Sequence, residues 1–405
     1  MAVPKIRLKG FDADWEKSNF GNFGSVAMCK RIFKDQTSPI GDIPFFKIGT
    51  FGLKPDAYIT RELYNEYKSK YSFPSKGDIL ISAAGTIGRT IVYSGDDAYF
   101  QDSNIVWLNH NDQLNNAFLK YLYSIVNWAS LEGATIKRLY NSNILQTEIV
   151  IPEYTEQEAI SNYFQSLDSL IEATDKKIAT LKQTKQASLQ SMFPQEGETK
   201  PRVRFKGFTD EWKKVEIGKY GDTYSGLSGK SKDDFGKGNA KYITFLNVLT
   251  NAQINTYILE SVDVKTGERQ NAVQKGDILF NTSSETPEEV GLCSVLLEDI
   301  PNVYLNSFCF GFRPNNPAIN SEFLVYLMRG HIGRSIMKVL AQGATRYNLS
   351  KKRLCETLVP IPTNIDEQKQ IAEYFSNLDK QISIQEQRLE KLKQIKSACL
   401  KNMFV

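Results

Sequence analysis

PKIRLKGFDADW at residues 4–15 returns as PRVRFKGFTDEW at residues 201–212, a displacement of 197 positions from Pro4 to Pro201. Gly10, Phe11 and Trp15 recur as Gly207, Phe208 and Trp212. Outward from this pair the repetition continues in strict order. KGDIL at 76–80 recurs at 275–279, FLxYL at 118–122 recurs at 323–327, and GAT at 133–135 recurs at 343–345. Ile151-Pro152 and Glu156-Gln157 match Ile361-Pro362 and Glu367-Gln368. Beyond them Tyr163-Phe164, Leu167-Asp168, Leu181-Lys182-Gln183 and Met192-Phe193 find Tyr374-Phe375, Leu378-Asp379, Leu392-Lys393-Gln394 and Met403-Phe404 at a constant displacement of 211. Two long copies are not the many short repeats of a solenoid, so the duplication predicts two similar domains.

Composition agrees with that division. A chain of 405 residues suits two domains plus connecting elements. With 41% hydrophobic and 24% charged residues it reads as soluble and globular, and no run of 18 apolar residues could span a bilayer. The N-terminal residues lack the apolar core of a signal peptide, and the five cysteines are scattered without a CxxC pair. These features predict a cytoplasmic, reduced, metal-free protein. A net charge of +4 is too small to drive nucleic-acid binding in bulk, so any such contact must come from locally placed charge.

Each copy has the same grammar: a basic-aromatic lead-in, about 130 residues of β-branched and aromatic runs broken by Gly, Asn, Asp and Pro, and a long polar-apolar helix. The expected fold class is α+β, with one domain at 1–152, a helix at 153–193, a linker at 194–200, a second, similar domain at 201–362 and a second helix at 363–405. Similarity is lowest in the middle of each copy, where ISAAGTIGRTIVYSG faces FNTSSETPEEVGLCSVLLED. One scaffold with unlike loops suits two halves that must read different targets.

In the first helix apolar residues fall at Ile160, Phe164, Leu167, Ile171, Ile178, Leu181 and Met192; the second places Ile371, Phe375, Leu378, Ile382, Leu389, Leu392 and Met403 on the same lattice. Alternating steps of three and four without Gly or Pro form a coiled-coil seam. Polar residues interrupt both stripes at matching places, Thr174 with Gln385 and Lys185 with Lys396, as in seams that fix register. At 1.5 Å per residue such a helix reaches roughly 55 Å, enough to hold two domains apart. The narrow, matched stripes favour pairing of the two helices over helices that each fold back on their own domain, and an antiparallel pair would relate the domains by a pseudo-two-fold axis.

No catalytic centre is visible. The two histidines, His110 and His331, read as loop residues with no Cys or second His beside them. GLSGKS at 226–231 lacks the leading glycine of a P-loop, since position 224 is Tyr224. Pro55-Asp56 with Glu66-Tyr67-Lys68 meets the loose spelling of a metal-dependent nuclease, but the second copy lacks it. Neither GxGxxG nor any Pro-Pro pair occurs.

Positive charge, hydrogen-bonding side chains and an aromatic ring coincide after each GAT repeat: Lys137, Arg138, Tyr140 and Asn141 in the first copy, and Arg346, Tyr347, Asn348, Lys351, Lys352 and Arg353 in the second. That mixture contacts phosphates and base edges. The GTIGR loop, with Gly85, Thr86, Gly88 and Arg89, is a third candidate because its glycines let backbone approach a ligand. The competing reading is that these are solvated surface charges, and recurrence at one address in both copies weighs against it. KGDIL and the Gly-Phe and Trp residues of the lead-in read as turn and packing residues.

Over its whole length the chain resembles the specificity subunits of type I restriction–modification systems, most specifically in the segments 133–157 and 343–368 that lead into the helices. The resemblance implies two target-recognition domains that each read half of an asymmetric, gapped site in double-stranded DNA, separated by helices paired as an antiparallel coiled coil. It further implies assembly with two modification subunits, which bring S-adenosylmethionine and methylate adenine, and two restriction subunits, which bring ATP- and Mg2+-dependent translocation and cleavage. The chain itself would be non-catalytic and carry no cofactor.

Overall fold

KGDIL enters the middle of a sheet in both copies. The computed structural model describes residues 3–111, 113–129, 138–343 and 346–405, which form two units: 1–175 with 387–405, and 176–386. In the first, Gly77 turns the chain at φ +98°, a left-handed conformation suited to glycine, and the strand Ile79–Ser82 follows. It lies between Ile105–His110 and Thr90–Val92, and Gly24–Ala27 completes four strands by pairing with Ile105–His110. Every residue of Ile79–Ser82 is buried because both faces are covered. Ile79 and Ile81 pack with Phe118 and Leu122, while Leu80 points the other way to Tyr99 and Trp107.

A smaller sheet of Tyr58–Ile59, Ile43–Phe46 and Tyr99–Phe100 lies in the second of these clusters, its last pairing parallel. The strand after the lead-in, Glu16–Asn19, pairs antiparallel with Glu148–Ile151 just before the long helix.

The second unit repeats the plan. Gly276 turns at φ +89° into Ile278–Asn281, which lies between Cys309–Pro314 and Cys293–Val295, with Gly221–Ser225 at the edge. Ile278 and Phe280 face one core and Leu279 faces another. Glu260–Val262, Phe235–Ile243 and Val303–Leu305 form the smaller sheet, and Lys213–Glu216 pairs with Leu358–Ile361. Sheets built mainly of antiparallel pairs, with segregated helices, are the expected α+β class. Where the histidines were expected in loops, His110 instead closes the strand Ile105–His110 and His331 opens the helix His331–Leu340, each carried by the apolar run beside it.

Each long helix, Tyr154–Ser191 and Ile365–Asn402, has 38 residues, and each gives one end to each unit. Within the first unit the helices run antiparallel: Tyr163 meets Cys399, and Asp168 is paired with Lys396. Within the second, Lys182 reaches Glu386, Lys185 reaches Asp379 and Ser188 meets Tyr374. The helix stripe serves both roles weighed from sequence. Ile160, Phe164 and Leu167 pack on their own domain's core and also receive Leu392, Met403 and Phe404. Ile371, Phe375 and Leu378 share a core with Leu181, Met192 and Phe193, while Ile178 and Ile382 are buried and Ile171 and Leu389 half-buried along the seam.

The seam lysines close a cluster that joins three repeated motifs. Lys396 reaches Asp168 and lies 5.7 Å from the ring of Tyr121, whose hydroxyl donates to Asp168 at 2.9 Å. Lys185 reaches Asp379 and lies 5.7 Å from the ring of Tyr326, whose hydroxyl donates to Asp379 at 2.9 Å. Burial alone would raise the Asp168 carboxyl; hydrogen bonds from Lys396, Tyr121 and Lys120 outweigh it and hold the group below the usual carboxylate range.

A second repeated cluster fixes the start of each helix. Arg7 donates to both oxygens of Glu156 at 2.8 and 2.7 Å, and the Trp15 indole adds a third bond at 3.2 Å. Arg204 and Trp212 treat Glu367 the same way. The neighbouring Gln157 and Gln368 donate to the carbonyls of Pro152 and Pro362. The lead-in and the Glu-Gln pair recur together because they are mates, as the packing role read for Trp15 requires.

Candidate nucleic-acid interface

In the first unit the buried strand Ile79–Ser82 runs out into Ala83-Ala84 and the GTIGR loop. Ser82 closes that loop: its N–H donates to the Arg89 carbonyl at 2.8 Å, its carbonyl accepts from Gly88 at 3.0 Å, and its hydroxyl accepts from the Arg89 N–H at 2.9 Å and donates to the Thr86 carbonyl. Gly85 and Gly88 stand at φ +66° and +78°, and a Cβ at Gly88 would lie 2.8 Å from Trp128 Nε1. The loop therefore needs both glycines for conformation and the second also for space. The Arg89 guanidinium lies 5.5 Å from the Phe51 ring, within cation–π range.

Ala83 also joins this loop to two other segments. Its N–H donates to the Asn104 carbonyl and its carbonyl accepts from the Leu139 N–H, both at 2.8 Å, while Ala84 bridges Arg138. Arg138 reaches across to the Ser103 carbonyl at 2.9 Å and lies 5.9 Å from the ring of Tyr140, which is 59% exposed. Asn141, exposed, begins the helix Asn141–Gln146. The fold thus brings GTIGR and the Arg138–Asn141 cluster to one three-segment rim; Lys137 lies outside the described residues.

The second unit builds the same rim at the corresponding address. Thr282 N–H donates to the Phe308 carbonyl at 2.9 Å, and its own carbonyl accepts from Leu349 at 2.8 Å. Ser283–Ser284 then pairs with Tyr347–Asn348, and Asn348 exchanges both backbone bonds with Gln342. Arg346 is exposed. Lys351 opens the helix Lys351–Cys355 and donates to Ser225 Oγ at 2.6 Å; Lys352 faces Glu356 at 3.9 Å, and Arg353 is half-buried on the same turn.

The side chains on the two rims differ. Where the first has GTIGR, the second has Glu285, Glu288 and Glu289, with Glu289 accepting from Ser284 at 2.8 Å and Arg334 holding the carbonyls of Glu288 and Val290. Arg138 corresponds to Asn348, and Ser103-Asn104 to Ser307-Phe308. The central segment of each rim, 102–104 and 306–308, escaped the sequence reading because its motif is not repeated; only its place just before the strands Ile105–His110 and Cys309–Pro314 is.

Residues of the catalytic spellings take part in ion pairs. Lys230 of GLSGKS is bound to Glu268 at 2.6 Å and to the Asp263 carbonyl, and hydrogen bonds from Lys230, Gln270 and the Lys265 backbone hold Glu268 down at about 2. Asp56 pairs with Lys47 and Glu66 with Lys70. Burial pushes the thiols of Cys29, Cys293 and Cys309 up to about 12. Among the described residues no three His, Cys, Asp or Glu side chains are grouped to hold a metal ion, and no helix is long and apolar enough to cross a membrane.

The duplicated scaffold defines a protein of two tandem domains whose rims share backbone bonds and present different side chains, and the comparisons with known proteins give its family. The sequence matches the type I restriction modification DNA specificity domain over residues 12–183 and again over 209–394, and the chain belongs to that family. A putative type I restriction enzyme specificity subunit of Haemophilus influenzae is 55% identical over 151 residues, which are 37% of this chain and 39% of that protein. The type I restriction enzyme MjaVIII specificity subunit of Methanocaldococcus jannaschii is 23% identical over 336 residues, 79% of this chain and 73% of that one. The crystal structure of the S subunit of a type I restriction–modification system from M. genitalium superposes with a TM-score of 0.59 at 18% identity, covering 100% of this chain and 99% of that one, and so shares the fold.

Proposed function

We propose that each unit reads one half of a bipartite, gapped site in double-stranded DNA and that the chain directs adenine methylation and cleavage carried out by partner subunits. The observation that carries this reading is the repeated rim: the same backbone hydrogen bonds at the same address, presenting Arg89, Arg138, Tyr140 and Asn141 in one unit and Arg346, Tyr347, Asn348 and Lys351 in the other. Arginine suits guanine and asparagine suits adenine in the major groove, while the lysines suit phosphates. Two modification subunits would bring S-adenosylmethionine and two restriction subunits ATP and Mg2+, all acting on DNA in the cytoplasm. Leu170, Ile384 and Ile395, apolar yet exposed on the long helices, suit packing against partner helices.

The domain limits follow from the same reading: 1–152 and 201–362 for recognition, with 153–193 and 363–405 as the helices and 194–200 joining them. The helix pair sets the gap between half-sites, so lengthening both helices by four residues, roughly 6 Å of rise, changes the gap in the recognised motif.

The test is reconstitution with the modification subunits, followed by footprinting and by mapping methylated motifs in the host genome. A bipartite methylated motif that the complex protects is the expected result. A complex that protects no sequence, in a genome without such a motif, refutes the proposal. A protein-interaction scaffold that never reads DNA would instead bind DNA unchanged after neutralisation of Lys137, Arg138, Arg346 and 351–353 together.

A further inference from the structure

The rim of the second unit exposes a side chain with no hydrogen-bonding chemistry. We infer that Phe308 is a base-reading residue, its ring meeting the 5-methyl group of a thymine in the half-site read by the second unit. The assignment rests on the DNA-reading function proposed above.

Phe308 sits at the tip of a turn closed by Cys309 N–H donating to the Asn306 carbonyl at 3.1 Å. The Asn306 side chain accepts from the Phe308 N–H at 2.8 Å, fixing the turn from within. The ring is held out of the core, 59% exposed. A lone exposed phenyl is ordinary on a protein surface; its address here is what matters. The Phe308 carbonyl is tied to Thr282, and Thr282 to Leu349, so the Phe308 backbone stands two strand spacings, about 10 Å, from the backbone of Leu349, the residue after Asn348.

In the first unit the equivalent turn is covered, because Arg138 reaches over it to the Ser103 carbonyl. Asn348 holds the place of Arg138 in the second unit, and its amide turns to its own neighbour, donating to the Arg346 carbonyl at 3.3 Å. The shorter side chain leaves Ser307 and Phe308 open.

Chemistry then narrows the target. Guanine, cytosine and adenine offer only donors and acceptors in the major groove, and a phenyl ring can answer none of them; thymine alone adds an apolar methyl.

The test uses the chain assembled with its modification subunit and a duplex carrying the methylated motif of the host, with each thymine of the two half-sites replaced in turn by deoxyuridine, which removes only the methyl. One replacement in the half read by the second unit should weaken wild-type binding about fourfold, the change carried by one buried methyl-sized group. Phe308→Ala should bind weakly and ignore that replacement, whereas Phe308→Leu should retain part of the response. The inference is overturned if no replacement in that half matters to the wild type, if that half holds no thymine on either strand, or if Phe308→Ala responds like the wild type. Loss of binding in Phe308→Ala without any deoxyuridine effect, with brightening of 2-aminopurine placed in the site, would make the ring an unstacking wedge instead. A wild-type complex with no preferred sequence fails at the proposed function itself, and takes this assignment with it.

Discussion

Removing the Arg7 guanidinium should destabilise the first unit far more than a surface substitution would. Glu156 is only 1% exposed, and its carboxylate is held by two Arg7 bonds and one from Trp15. Arg7→Ala leaves that buried charge with a single neutral donor. Breaking a buried pair from one side costs about 3–5 kcal/mol, and because Arg7 keeps some solvent contact the lower figure applies, about 3 kcal/mol. Glu156→Gln keeps the shape and one acceptor and should cost about 2 kcal/mol. Combining Arg7→Ala with Glu156→Gln removes both charges together, so the double variant should recover about 2 kcal/mol relative to the sum of its singles. Urea unfolding of the four proteins in the cycle gives the coupling, and hydrogen exchange over the helix start at 154–160 locates it. Additive losses, with coupling below about 0.5 kcal/mol, would refute the idea that the lead-in and the Glu-Gln pair form one lock. The mirrored cycle at Arg204 and Glu367 should give the same result.

On the proposed reading of one half-site by each unit, Gly88→Ala should relax discrimination in the first unit's half and leave the other intact, because φ +78° and the Trp128 ring leave no room for a Cβ; unchanged specificity in methylated-motif mapping would count against a reading role for that loop. Replacing both Leu167 and Leu378 with glutamate buries a carboxylate in each unit and should cost more than about 4 kcal/mol and abolish assembly with the modification subunit, as size-exclusion chromatography would reveal; a normal complex contradicts the helix-pair argument. The Asp168 carboxyl, held below its ordinary range, contributes stability that is present above the unfolded value of about 4 and is lost as pH falls through the lower folded value. The gap in urea midpoint between wild type and Asp168→Asn should therefore be open at pH 7 and narrow below pH 4, and a gap that widened on acidification would contradict the pairing with Lys396.

The duplication, the fold class and the helix seam were legible because each rests on short-range regularities: matched motifs, β-branched runs between turn residues, and steps of three and four. The partnerships among motifs were not. Nothing local says that Arg7 belongs with Glu156, or that Lys396 from the end of the chain belongs with Asp168 and Tyr121; those pairs are 149 and 228 residues apart and are brought together only by the tertiary fold. The rim was half legible. Its outer segments carried charge and glycine that drew attention, but its middle segment, 102–104 and 306–308, carries no shared motif and is recognisable only from backbone bonds to Ala83 and Thr282.

That division has a physical logic. Residues whose partners lie inside the unit recur in both copies because the same burial must be satisfied twice: a carboxylate at Glu156 or Glu367 without its arginine would destabilise either unit alike. Apart from the glycines and Ser82 of the GTIGR loop, the rim is fixed instead by main-chain bonds, which constrain position without constraining side-chain identity. Arg138 can therefore become Asn348, and Asn104 can become Phe308, without altering the strands beneath. If the rims read DNA as proposed, such a protein changes its target through a few exposed side chains while its clusters of buried charge stay fixed, so substitutions at Phe308 should move specificity and leave the urea midpoint in place, whereas substitutions at Arg204 should do the reverse.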